Sequence, residues 1–98
     1  MPTTTVKRFF PHSRASLVYQ NGQQQSPLSR GVEVVLHMKS NEQAPSCAEV
    51  ISGDQYAEIG LSFNGKKLVD YDGVFFLPRE VAELLNENGY IVPQEYFA

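Results

Sequence analysis

Tyr56-Ala57-Glu58-Ile59-Gly60-Leu61-Ser62-Phe63-Asn64-Gly65-Lys66-Lys67-Leu68-Val69-Asp70-Tyr71-Asp72-Gly73-Val74-Phe75-Phe76-Leu77 decides the fold class. Apolar residues recur there with the two-residue period of a half-buried strand. Asn64-Gly65 and Asp72-Gly73 interrupt the pattern, and such pairs readily take the positive φ angles of a type I′ hairpin turn. The stretch therefore predicts an antiparallel meander with strands over 56–63, 66–71 and 74–77. A two-residue turn at Asn64-Gly65 sets Phe63 opposite Lys66, Leu61 opposite Leu68 and Ile59 opposite Asp70. Leu61, Leu68 and Leu77 then form a row in the core, beside Ile59 and Phe75. The other face holds Val69, Tyr71, Val74 and Phe76 next to Glu58, Gly60 and Ser62. That face is apolar for one turned to solvent, so the N-terminal strands or a partner should cover it.

Toward the C-terminus, Val81, Leu84 and Leu85 follow the spacing of an amphipathic helix over residues 78–88. Pro78 suits the first helical position and Gly89 the position just past the end, with Tyr90 folding back on Leu85. Glu80 and Glu83 lie in the first turns, where the helix dipole favours anions, and Arg79, Glu83, Asn86 and Glu87 form the solvent face. Residues 90–92 suit a short final strand, and 94–98 a tail whose Tyr96 and Phe97 are apolar for a terminus.

Toward the N-terminus, residues 3–10 are rich in strand formers and end at Pro11, which removes a ladder donor; this strand should lie at a sheet edge. Residues 16–20 and 23–26 flank Asn21-Gly22 as a second hairpin with a polar return arm. Over 32–39, Val32, Val34, Leu36 and Met38 alternate with Glu33, Val35, His37 and Lys39, one core face and one outer face. Residues 40–46 contain nothing that buries well and read as a flexible loop, and 47–51 as a short strand before the turn at 52–54. The whole chain reads as one α+β domain over residues 1–98. It consists of an antiparallel meander of five to seven short strands, two-layered or barrel-like, with the one helix packed on it.

Length and composition set the outer limits. Ninety-eight residues fit one domain, and 42% hydrophobic against 19% charged residues belongs to a folded chain. Cys47 is the single cysteine, so no intrachain disulfide forms, and a reducing, cytoplasmic setting is expected. No apolar run approaches the roughly 18 residues of a membrane span, so membrane association is not expected. The net charge of −3 hides an asymmetry. Residues 1–40 carry Lys7, Arg8, Arg14, Arg30 and Lys39 against Glu33 alone, a net +4, whereas residues 41–98 carry ten carboxylates against three cations, a net −7. Such polarity steers a charged partner, favours head-to-tail association, or interleaves in the fold and cancels.

Chemical motifs are sparse. Cys47, His12 and His37 lack the spacing of a nucleophile with its base or of a zinc site. Cys47 reads as an inert, half-buried thiol and His37 as a surface histidine. Asp70, Asp72 and Gly73 lack the later ligands of a calcium loop, and no glycine-rich phosphate cradle appears. No catalytic residue, metal or cofactor is assigned, and an enzyme with an unrecognised site stands as the opposing class. Lys7, Arg8, Phe9, Phe10 and Arg14 mix basic and aromatic groups as single-strand nucleic-acid binders do, although the acidic second half would repel phosphate. Nucleic-acid binding would require those basic residues to gather on one exposed face. The sequence is best read as a non-enzymatic protein-interaction module, a regulator or inhibitor docking a basic, for example nucleic-acid-binding, partner. The acidic face would be Glu80, Glu83 and Glu87, with Tyr71, Phe76, Tyr96 or Phe97 as anchors. A homodimer through an exposed strand edge is a further expectation.

Overall fold

The computed structural model describes residues 3–11, 16–18, 25–27, 31–39, 42–52, 55–74 and 76–96. Seven strands are present among the described residues: β1 (Thr3–Phe10), β2 (Ser16–Val18), β3 (Gln25–Pro27), β4 (Val32–Lys39), β5 (Cys47–Ser52), β6 (Gln55–Asn64) and β7 (Lys67–Asp72). The described residues also form one helix, α1 (Arg79–Glu87), and a 3-10 turn at Gln94–Tyr96, and the fold is of the α+β class. Five strands form an antiparallel sheet in the order β1-β4-β5-β6-β7, while β2 and β3 pair separately. In the β2–β3 register Leu17 stands opposite Ser26 and Val18 opposite Gln25, while Asn21-Gly22, expected to turn that hairpin, lies outside the described residues.

Alternation sorts the sheet into two faces. Val32, Val34 and Leu36 of β4, Ala48 and Val50 of β5, and Ala57, Ile59 and Leu61 of β6 are all buried on one face. Val81, Leu84 and Leu85 of α1 close over it in a single hydrophobic cluster with Val74, Leu77, Tyr90 and Val92. The helix ends as its sequence predicts: Gly89 has φ 89°, and the N–H groups of Gly89 and Tyr90 donate to the carbonyls of Asn86 and Leu85 at 3.1 and 3.0 Å. Those two bonds satisfy carbonyls that every helix end leaves open. Pro78 stands one residue earlier than expected, just outside the helix, with its carbonyl accepting from Val81 N–H at 3.0 Å.

The meander departs from its predicted register for a definable reason. The β6–β7 turn is centred on Gly65-Lys66, with Asn64 opposite Lys67 and Gly65 at φ 64°. Only the first central residue needs positive φ, as in a type II′ turn, so glycine rather than asparagine sets its position. Phe63 therefore faces Leu68, and Leu61 faces Tyr71 instead of Leu68. A β-bulge at Val69 separates these two pairings. Without it, Asp70 would share the core side with Ile59 and bury a carboxylate lacking a cation; the extra residue turns Asp70 out and Tyr71 in. The expected apolar second face is dissolved by the same step, since Tyr71 packs on the core side and Val74 is fully buried.

The third strand of the meander, expected over 74–77, is reduced to an isolated bridge at Val74. Gly73 takes φ 108° and approaches the Glu58 carbonyl so closely that a Cβ there would lie 2.6 Å from its oxygen. The chain leaves the sheet there and enters α1. In place of that strand, the C-terminal segment lies along β7: Ile91 N–H donates to Lys66 O and Leu68 N–H to Ile91 O, at 2.8 and 2.9 Å. This parallel bridge is what becomes of the strand expected over 90–92.

Residues 42–46, within the loop anticipated at 40–46, form neither helix nor strand, and part of the segment packs on the core. Pro45 is buried and Ala44 packs against the core. Tyr90 O–H donates to Gln43 O at 3.2 Å, and Leu61 N–H donates to Ser46 O at 3.0 Å. No helix among the described residues is long and apolar enough to cross a membrane.

Candidate functional site

The ladder pairings place the side chains of the helix-free face in rows across the sheet. One row runs Thr5, His37, Cys47, Gly60 and Asp72; the next Lys7, Val35, Glu49 and Glu58; a third Phe9, Glu33, Ile51 and Tyr56. Asp70 stands beside Ser62 on the same face. The β1 and β4 end thus carries Lys7 and Lys39 beside Glu33, whereas β5 to β7 carry Glu49, Glu58, Asp70 and Asp72 beside Lys67. The charge asymmetry of the sequence survives on this face as a gradient across neighbouring strands.

On the helix side the asymmetry cancels instead. Arg8 of β1 forms ion pairs with Glu87 and, at 3.9 Å, with Glu83, and its guanidinium lies 4.4 Å above the Phe10 ring. Two residues assigned to an acidic docking face therefore meet one assigned to a nucleic-acid strand. Glu80 leaves that face altogether: it is 8% exposed in the first turn of α1, because its position on the helix turns it toward the sheet with Val81 and Leu84. The remaining basic and aromatic residues do not gather either. Lys7 and Arg8 are consecutive on a strand and project to opposite faces, Phe9 is 57% exposed on the open face, and Phe10 is buried. Arg14 lies outside the described residues.

Of the predicted anchors, Phe76 is 54% exposed and stands free of the core. Tyr71 and Tyr96 stack edge to face at 5.2 Å, so they engage each other. Tyr96 O–H donates to Val69 O at 2.8 Å, and Leu77 N–H donates to Tyr96 O at 2.7 Å, which ties residues 94–96 to β7 and to the entrance of α1. Phe97 lies outside the described residues.

The open face also assembles a polar cluster that the sequence did not announce. His37 Nε2 donates to Glu49 Oε1, Tyr56 O–H donates to Glu49 Oε2, and the same hydroxyl lies 3.4 Å from Glu58 Oε2. Glu49 and Glu58 are directly opposed on neighbouring strands, where like charges repel. The two donors offset that repulsion. They hold the Glu49 carboxyl below the usual carboxylate range, the Tyr56 hydrogen bond first and that of His37 second. Tyr56 is in turn pushed above the ordinary phenol range, chiefly by its bond to Glu49. Burial pushes the Cys47 thiol up, and the Glu58 and Glu49 charges push it further. A thiol held protonated among carboxylates is a poor nucleophile. Glu49 and Glu58 lie at matched distances on either side of the turn that follows β5, and that symmetry was the available signal. His37 comes from across residues 40–46, whose course no local pattern specifies.

No family model, curated protein or solved structure matches this chain. The functional reading therefore stands on this surface alone.

Proposed function

We propose that the protein is a non-enzymatic interaction module that docks a basic partner on the β5–β7 part of its open sheet face. The observation that carries this reading is the exposed group Glu58, Asp70 and Asp72, three carboxylates on adjoining strands with no cation paired to them among the described residues. Their summed potential draws a positively charged surface and sets its register. Tyr56, 48% exposed, borders the group and supplies the amphipathic contact area typical of interface hot spots. Phe76 is the second anchor. The acidic face is thus the sheet rather than the helix, because Glu83 and Glu87 already serve Arg8.

A partner whose natural ligand is nucleic acid fits this chemistry, since a basic groove that binds phosphate also accepts a row of carboxylates; this makes the protein a regulator or inhibitor of such a partner. The reading is tested by titrating the isotopically labelled chain with an arginine-rich peptide and following backbone amide shifts. Shifts centred on residues 56–60 and 69–73, lost in the Asp70→Lys, Asp72→Lys double variant, are the expected result. Shifts spread over Glu83, Glu87 and Glu95 in proportion to exposure would show general attraction without a docking face.

A further inference from the structure

We propose that the free edge of β1 takes up an extended segment of another protein in which acidic and apolar side chains alternate. This inference concerns the opposite end of the sheet from the acidic face and does not depend on it. The two edges of the sheet are treated differently. The β7 edge is covered by Ile91 and by the Tyr96 hydroxyl. The β1 edge pairs with β4 over all eight of its residues and with no other strand among the described residues. Every second residue of β1 consequently directs its N–H and C=O away from the sheet, a template for an added strand.

The side chains along that edge specify what the added strand must carry. On the open face stand Thr5, Lys7 and Phe9, all exposed, and Lys7 has no ion-pair partner among the described residues. A carboxylate on the incoming strand opposite Lys7 completes a cross-strand ion pair. On the helix side, Thr4 and Val6 of β1 line a cavity of about 80 Å³ together with Leu36, Met38, Pro45 and Tyr90. Its volume is more than twice the roughly 30 Å³ that a water occupies in the liquid, room for one aliphatic side chain. Because successive side chains of a strand point to opposite faces, a segment that places an acid above Lys7 places its neighbours on the Val6 side. Main-chain pairing supplies affinity and the alternate side chains supply selection.

A second copy of this chain is the poorer occupant. A two-fold axis perpendicular to the sheet must centre an antiparallel β1 pair on a residue, and the longest overlaps centre on Val6 or Lys7. These place Lys7 diagonal to, or directly opposite, its own copy, where like charges repel. Single-stranded nucleic acid is also disfavoured, since it offers no strand hydrogen bonds and meets Lys7 as the one described cation of β1 on the open face, Arg8 being held by Glu83 and Glu87 on the other.

The test uses the full chain and a fluorescent eight-residue peptide of alternating Val and Glu, with an alternating Val and Lys peptide and a Val and Glu peptide interrupted by a central Pro as controls. The Val and Glu peptide is expected to bind and to slow hydrogen exchange at alternate amides of β1, while the Lys and Pro controls fail. Lys7→Glu, at an exposed position, should keep the melting temperature, weaken the Val and Glu peptide roughly five-fold and admit the Val and Lys peptide. Asp70→Lys with Asp72→Lys should leave peptide affinity unchanged, which separates this edge from the acidic face. Equal binding of the Pro-interrupted peptide, an unaltered affinity in Lys7→Glu, or displacement of the peptide by single-stranded oligonucleotide would each overturn the proposal, as would exchange protection outside β1.

Discussion

Replacing Gly73 by alanine tests how this sheet terminates. Gly73 has φ 108°, and an added Cβ meets the Glu58 carbonyl oxygen at 2.6 Å and Ile59 Cα at 3.6 Å. Two costs combine. An L-residue at positive φ loses about 1–2 kcal/mol, and relieving a contact with main chain requires β6 to move, worth about 1–3 kcal/mol in other overpacked sites. The sum, about 2–5 kcal/mol, is a large part of the 5–15 kcal/mol that a domain of this size typically holds. Gly65→Ala is the internal control, because Gly65 has φ 64° and nothing within 4 Å of an added Cβ. That variant should lose only the conformational part, about 1–2 kcal/mol. Urea denaturation followed by far-UV circular dichroism gives both values from the midpoints at a common slope. In thermal melts each kcal/mol should appear as roughly 4–8 °C, so Gly73→Ala should melt well below Gly65→Ala. Equal losses in the two variants would refute the argument that close approach to Glu58 forces the chain out of the sheet after β7.

Glu49 supplies a pH dependence of definite sign. Its folded carboxyl titrates below the unfolded one, so its contribution to stability is complete above the unfolded value near pH 4.3 and is lost as the pH falls through the folded value. Acid titration of stability between about pH 5 and pH 3 should therefore be steeper in the wild type than in Glu49→Gln, and parallel curves would remove the linkage. Tyr56 should titrate later than an ordinary phenol in an absorbance titration and return toward the ordinary range in Glu49→Gln, since that bond is the largest cause of its shift. Cys47 should react slowly with a disulfide reagent at mildly alkaline pH, because burial and two carboxylates oppose the thiolate. Glu58→Gln should speed that reaction, and an unchanged rate would remove Glu58 as a cause, leaving burial and Glu49.

Much of the architecture could be read locally. The strand β4 was legible from its alternation, with Val32, Val34 and Leu36 buried as expected. The helix was legible from Val81, Leu84, Leu85 and Gly89, because caps and amphipathic spacing are properties of neighbouring residues. The candidate site was less legible. Glu83 and Glu87 were placed correctly on the exposed side of α1, but their meeting with Arg8 depends on β1 pairing with β4, the strand on which α1 packs, a contact between residues some 80 positions apart in the chain. Glu80 was misplaced by one helical position's worth of rotation, which local polarity does not reveal. Val35, on the predicted outer face, is only 6% exposed, and the sequence offers no sign of it.

By itself, then, the sequence determined the α+β class, the edge position of residues 3–10, and the helix and its end. These follow from periodicity and from glycine's access to positive φ, both of which act over a few residues. Tertiary structure decided the β6–β7 register, the bulge that turns Asp70 out and Tyr71 in, the conversion of the third meander strand into a covering C-terminal segment, and the cancellation of charge on one face with its survival on the other. Each of these rests on the cost of burying a charge or a backbone group without a partner, and that cost is set by what the rest of the chain brings alongside.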